Sequence, residues 1–164
     1  MSKELKKAQE LLHISEVHTR KITLKIADDE NFMSISRIKK SKQSYNSMIK
    51  IEEIATSNED GSSTRYHYIF TYAVGVRLVK EEEKEDVSSL VIIEAEFDAC
   101  YISTQEVTKE QLDAFSQNNV GYHIWPYWRE LVQSSCSRAG LSSIRIPYYK
   151  LNQGKVYNLN PDPN

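Results

Sequence analysis

The sequence predicts an α+β domain, a four-stranded antiparallel sheet followed by two C-terminal helices. Three observations carry that expectation. Apolar residues recur with period two in several segments between residues 16 and 103. After residue 104 the pattern becomes helical. The strand candidates are joined by loops and turns without helical crossovers, which implies antiparallel neighbours.

The elements follow in order. Residues 3–12 (KELKKAQELL) set Leu5, Ala8, Leu11 and Leu12 on one side of a short helix or arm that is too short to be stable alone. In HTRKITLKI, Ile22, Leu24 and Ile26 share one face and Lys21, Thr23 and Lys25 the other, the mark of a half-buried strand expected over 16–26. Residues 27–44 read as a long connection with a basic cluster at Arg37, Lys39, Lys40 and Lys42. A second strand is expected over 47–57, ending in the turn-rich SNEDGSS. The third, over 64–80, alternates most clearly, through Tyr66, Tyr68, Phe70, Tyr72, Val74, Val76 and Leu78. KEEEKED reads as a solvated hairpin loop. The fourth strand, over 88–103, has Val91, Ile93, Ala95, Phe97, Ala99 and Tyr101 on one face and Glu94, Glu96 and Asp98 on the other. Thr108 and Gln111 have capping-box spacing for a helix over 108–117. NNVG then breaks it, and Pro126 is placed in the first turn of a helix over 126–139 that stops at Gly140. The chain reads as one domain over 1–164, with 1–12 as arm or short helix and 150–164 as a polar tail.

Composition narrows the function. A chain of 164 residues buries roughly 70% of its unfolded surface, so it folds without disulfide or metal. A net charge of −2 argues against nucleic acid as partner. No apolar run nears the ~18 residues of a membrane span, the longest being Leu90 to Ile93, and no signal-peptide core opens the chain, so a cytoplasmic protein is expected. Cys100 and Cys136 read as reduced thiols. His13, His18, His67 and His123 lie in no metal-binding spacing, and no phosphate-binding glycine loop is present, so neither metal nor cofactor is expected. Cys136 with His123 reads as a small apolar helix residue near a histidine rather than as a nucleophile and its base. No enzyme is expected. Ten tyrosines against four phenylalanines suit a surface that is alternately wet and covered.

The segment Tyr122 to Pro147 (YHIWPYWRELVQSSCSRAGLSSIRIP) resembles the best-marked part of the SecB family of export chaperones. The matching residues are Trp125-Pro126-Tyr127, Arg129-Glu130, Ser137-Arg138 and the extended stretch to Pro147, with Ala139 where the family often has glycine. EAEFDACYIS (Glu94 to Ser103) is similar to the family's fourth strand, although Ala99-Cys100-Tyr101 lacks its glycine, and EVHTRKITLKI is similar to the opening strand. The likeness spans about residues 13 to 150. It implies a SecB-like sheet with two helices, assembly into dimers and a tetramer, and the holding of unfolded or nascent chains in apolar surface grooves.

Tyr45, Met48, Tyr122, Trp125 and Tyr127 are the groove candidates. For Tyr45, Met48, Tyr122 and Trp125, beside loops, groove and core stand equal, whereas Phe70, Tyr72, Phe97 and Trp128 read as core. The family's motor, SecA, binds an acidic face built from the first and fourth strands. Here the first-strand positions are Lys21 and Lys25, beside Glu94, Glu96 and Asp98. Reversed charge disfavours SecA and favours a dedicated client such as an antitoxin. The alternative is a structural or adaptor subunit binding one folded partner.

Overall fold

The computed structural model describes residues 2–81 and 88–151. The core of the charged loop KEEEKED and nearly all of the polar tail lie outside those residues. The elements run α1 (Lys3–Leu11), β1 (His13–Ile26), α2 (Phe32–Arg37), β2 (Lys40–Ser57), β3 (Thr64–Lys80), β4 (Ser89–Ser103), α3 (Lys109–Ser116) and α4 (Asn119–Arg138). The four strands form one antiparallel sheet in the order β1-β4-β3-β2. Strands β2, β3 and β4 make a meander. β1 pairs with the far side of β4, so the chain between β1 and β2 crosses one whole end of the sheet, about 14 Å at ~4.8 Å per strand spacing.

That crossing corrects the expectation of a long structureless connection over 27–44. It ends at Lys39 and contains α2, started by Asn31, whose side chain accepts from the amides of Met33 and Ser34 in a capping box. Lys80 pairs with Glu30, and Ala27 N–H donates to the Leu90 carbonyl, fastening the crossing to the sheet end. β2 begins at Lys40 rather than residue 47. KSKQSYN hides a strand because it is an edge with polar residues on both faces, and its ladder to β3 supplies the order.

One sheet face is covered by the helices. Tyr68, Phe70, Tyr72, Val74 and Val76 of β3 and Val91, Ile93, Ala95, Phe97, Ala99 and Tyr101 of β4 are buried there, as their alternation predicts. Phe70, Tyr101 and Phe115 of α3 pack edge to face or tilted, with centroids 5.0–6.0 Å apart. Ile124, Trp128 and Val132 of α4 complete this core.

Two further expectations are corrected. α4 starts at Asn119, seven residues before Pro126, which lies inside the helix. Buried Val120, Gly121 and Ile124 continue the apolar stripe of Trp128 and Val132, and this burial offsets the one backbone bond the proline removes. The NNVG break is therefore only a short joint after α3. Strand β1 is not half-buried: Ile22 and Leu24 do point to the helix side, but they are 54% and 38% exposed because the helices stop over β3 and β4.

Candidate functional site

Two surfaces bring the candidate residues together, one on each side of the sheet. On the helix side, α4 ends in a left-handed Gly140 (φ +66°), with Leu141 N–H bonded to the Cys136 carbonyl. A positive φ favours glycine, and this cap reverses the chain. Residues 141–151 then run without regular secondary structure back along α4. Ile144 and Ile146 are buried in the core cluster. Trp125 Nε1 donates to the Pro147 carbonyl at 2.7 Å, and Lys42 Nζ of β2 donates to the Arg145 carbonyl at 2.7 Å. The Arg129 guanidinium lies 4.4 Å from the centre of the exposed Tyr148 ring. Tyr149 sits edge-on to Trp125 (5.2 Å) and Tyr122 (6.4 Å), over Gly121, where a side chain would collide with its ring. Its hydroxyl hydrogen-bonds Tyr72, and burial pushes the Tyr149 phenol upward. Tyr72 also donates to Asn46 Oδ1 at 2.9 Å.

Tyr122 and Trp125 thus share one cluster. Met48 stands on the same sheet side, opposite Tyr72 and half-buried. Tyr127, two residues after Trp125, lies on another flank of α4 and is half exposed. Below the cluster, His123 Nδ1 meets the Tyr101 hydroxyl at 2.8 Å, and burial lowers the imidazole's pKa.

Tyr45 belongs to the opposite, open face. It pairs with Gly75, which pairs with Glu94, and its ring lies across the glycine. Burial first, then the Glu94 carboxylate to which it hydrogen-bonds, raises its phenol. Along β4, Lys21 stands opposite Glu96, Thr23 opposite Glu94 and Lys25 opposite Ile92. The ion pair with Asp98 is made by Arg20 instead, Nη1 to Oδ2 at 2.9 Å, while buried Thr71 donates to Oδ1 at 2.7 Å. Period two alone would put Arg20 on the apolar side with Ile22. A bulge between Thr19 and Lys21 re-aims it. This face is a lattice of mixed charge. Among the described residues no group of three or more acidic, histidine or cysteine side chains is placed to hold a metal ion.

Tyr149, Lys42 and Gly121 were missed by sequence reasoning. The signal for Tyr149 and Gly121 was the pairing of an extended IRIPYY after a glycine stop with a glycine on the helix before it. Lys42 was read only as one of the basic cluster, and no local signal marks it as the donor to Arg145.

No family model matches the sequence, and no curated protein matches it. Solved structures do. One is the Mycobacterium tuberculosis SecB-like chaperone Rv1957, in complex with a ChAD peptide from the HigA1 antitoxin Rv1956. It aligns over 93% of this chain and 100% of its own, at 12% identity and a TM-score of 0.66. The fold is SecB-like. The four-stranded antiparallel sheet with C-terminal helices, expected from the sequence, is the shared architecture. No helix among the described residues is long and apolar enough to cross a membrane.

Proposed function

We propose that this chain is a holdase, an ATP-independent chaperone that binds unfolded polypeptide on apolar surface, with a single dedicated client such as an antitoxin as its narrower form. One observation carries the reading. Large apolar side chains stand outside a core that is otherwise closed: Ile22 and Leu24 on β1, Phe32 and Met33 on α2, Tyr122 and Tyr127 on α4. A holdase needs such surface, since its ligand is distinguished by unburied apolar side chains. The SecB-like fold supports the same reading, because its solved neighbour is a chaperone in complex with an antitoxin peptide. Tyr122, Trp125, Tyr127 and Met48 are the proposed client contacts. Tyr45 serves the open face.

Assembly is part of the proposal. β1 is a sheet edge whose helix-side Ile22 and Leu24 are uncovered, and a second copy, in a dimer or tetramer, is its expected cover. Light scattering that returned only the 19.0 kDa mass of one chain at micromolar concentration would remove that part. The test of function is aggregation of an unrelated unfolded protein, without nucleotide. Suppression at near-stoichiometric ratio is expected, weakened by Tyr122→Ser with Tyr127→Ser. Binding to one folded partner alone would favour the adaptor, and the observation on its side is the mixed-charge open face.

A further inference from the structure

We infer that the groove between α4 and β2 is a peptide-binding site occupied in cis by the chain's own residues 144–149. The inference deepens the holdase reading, and rests on it for the identity of what displaces the segment. The segment is held as an extended foreign peptide is held. Its alternate side chains Ile144 and Ile146 are buried, 7% and 6% exposed. Two of its carbonyls, at Arg145 and Pro147, are taken by side-chain donors from two different elements, Lys42 and Trp125, rather than by a strand ladder. A side-chain donor recognises a carbonyl whatever residue bears it, so this mode of holding carries little sequence demand. Pro147 keeps Ile146 extended and has no amide to satisfy. Tyr149 then fills the space over Gly121, which any larger residue would close.

The ligand class follows from the occupant. It is an extended segment with aliphatic residues two apart and an aromatic three residues after the second, tolerating a basic residue between the aliphatics. A client of that pattern must displace the strap. If the strap is in place nine-tenths of the time, the apparent affinity for a competitor is about tenfold below that of the open groove.

The test alters the occupant and leaves the groove intact. In the full chain, Ile146→Ser with Tyr149→Ser loosens the strap, and the probe is a labelled synthetic peptide of residues 142–150. The peptide is expected to bind the variant about tenfold more tightly than the unaltered protein, with a change in tryptophan emission as Trp125 regains its edge-on tyrosine. Equal binding, or none to a folded variant, overturns the inference. Should the variant not fold, proton cross-peaks between the Tyr149 and Trp125 rings of the unaltered protein decide. They must vanish when reduced, carboxymethylated α-lactalbumin binds, and their persistence at saturation overturns the inference. The holdase reading fails separately. If the peptide binds the loosened variant but neither form binds the unfolded lactalbumin, the cis-occupied site stands and the chaperone does not. If both forms bind lactalbumin equally and the variant ignores the peptide, the reverse holds.

Discussion

Gly75→Ala has opposite expected effects depending on whether Tyr45 is present. Gly75 lies inside β3 at an ordinary extended position, so alanine there relieves the entropic cost of a strand glycine, about 0.5–1 kcal/mol. The new methyl, however, would stand 2.8 Å from Tyr45 Cζ and 2.9 Å from Cδ1. Carbon atoms pack at about 3.5 Å or more, and the methyl would overlap Cε1 more closely than either of these, so the ring must retreat by well over ~0.7 Å. That breaks its hydrogen bond to Glu94 and lifts it off the strand, a loss of about 1–2 kcal/mol for a partly exposed bond and its ring contacts. Alone, Gly75→Ala is therefore expected to be neutral or to destabilise by up to ~1.5 kcal/mol, the difference of these terms. In a Tyr45→Ala background the penalty disappears, and the same substitution stabilises by ~0.5–1 kcal/mol. The coupling across the four proteins is then about 1–2 kcal/mol, well above the ~0.5 kcal/mol scatter of independent sites. Urea denaturation of all four measures it. Equal effects of Gly75→Ala in both backgrounds would show that the Tyr45 ring does not rest on the glycine, and the account of the open face built on that pair would fail.

Other expectations are more direct. Phe115→Ala removes a ring wedged between Phe70 and Tyr101 and is expected to cost about 3–5 kcal/mol, read as a fall in the urea midpoint; a cost under ~1 kcal/mol would contradict the packing. Burial lowers the His123 pKa in the folded state, so the unfolded chain takes up the proton first: stability from this site is complete above the ordinary histidine value of ~6.5 and declines as pH falls below it. Thermal midpoints measured from pH 8 to pH 5 are expected to drop less in His123→Gln, and an identical drop would refute the assignment. Lys21→Asp with Lys25→Glu makes the open face more acidic beside Glu94 and Glu96 and is expected to strengthen binding of SecA, with a gain that shrinks as salt rises. Tight binding of SecA by the unaltered protein at physiological salt would defeat the charge argument.

The legible parts of this molecule are those in which one local pattern meets one continuous cover. β4 alternates cleanly in burial, and β3 shows its helix-side aromatic and aliphatic residues at period two although Thr71, Ala73 and Gly75 of its other face are buried as well; the boundaries and helix-side faces of both follow from the sequence. Thr108 and Gln111 announce α3 because a capping box is a local device. The early start of α4 is hidden by a proline that burial on both sides of it outweighs. The start of β2 is hidden because an edge strand can take its order from a neighbour's ladder and show no alternation. At the site, Tyr122 and Trp125 are visible as aromatics on a helix. Their partner Tyr149, and the Lys42 that holds the same segment at Arg145, are not, because these contacts exist only once Gly140 has turned the chain back over α4. Arg20 is hidden for a third reason: a bulge shifts the phase of β1, and phase is the quantity that alternation reads.

The two sheet faces divide the work in a way that bears on partners. Toward the middle of the open face, polar groups answer one another: Thr71 and Arg20 both bond Asp98, and Tyr45 bonds Glu94. Among the described residues no buried side-chain nitrogen or oxygen lacks a hydrogen-bond partner. Among the described residues buried polar side chains are thus satisfied within a single chain, while apolar burial is incomplete. Ile22 and Leu24 are in phase with the core and carry the right side chains for it, yet remain uncovered at the edge. Burying one such side chain fully contributes about 1.5–3 kcal/mol, so these two at roughly half exposure forgo about 1.5–3 kcal/mol together. Against a total stability of about 5–15 kcal/mol that is a large omission. One further turn of helix over β1 would remove it, whereas a chain that must be covered by other polypeptide has to leave it open. Covering β1 from within should accordingly raise stability and lower both self-association and client binding. The adaptor reading differs here, because it places the partner on the mixed-charge open face and predicts no loss of binding when β1 is covered.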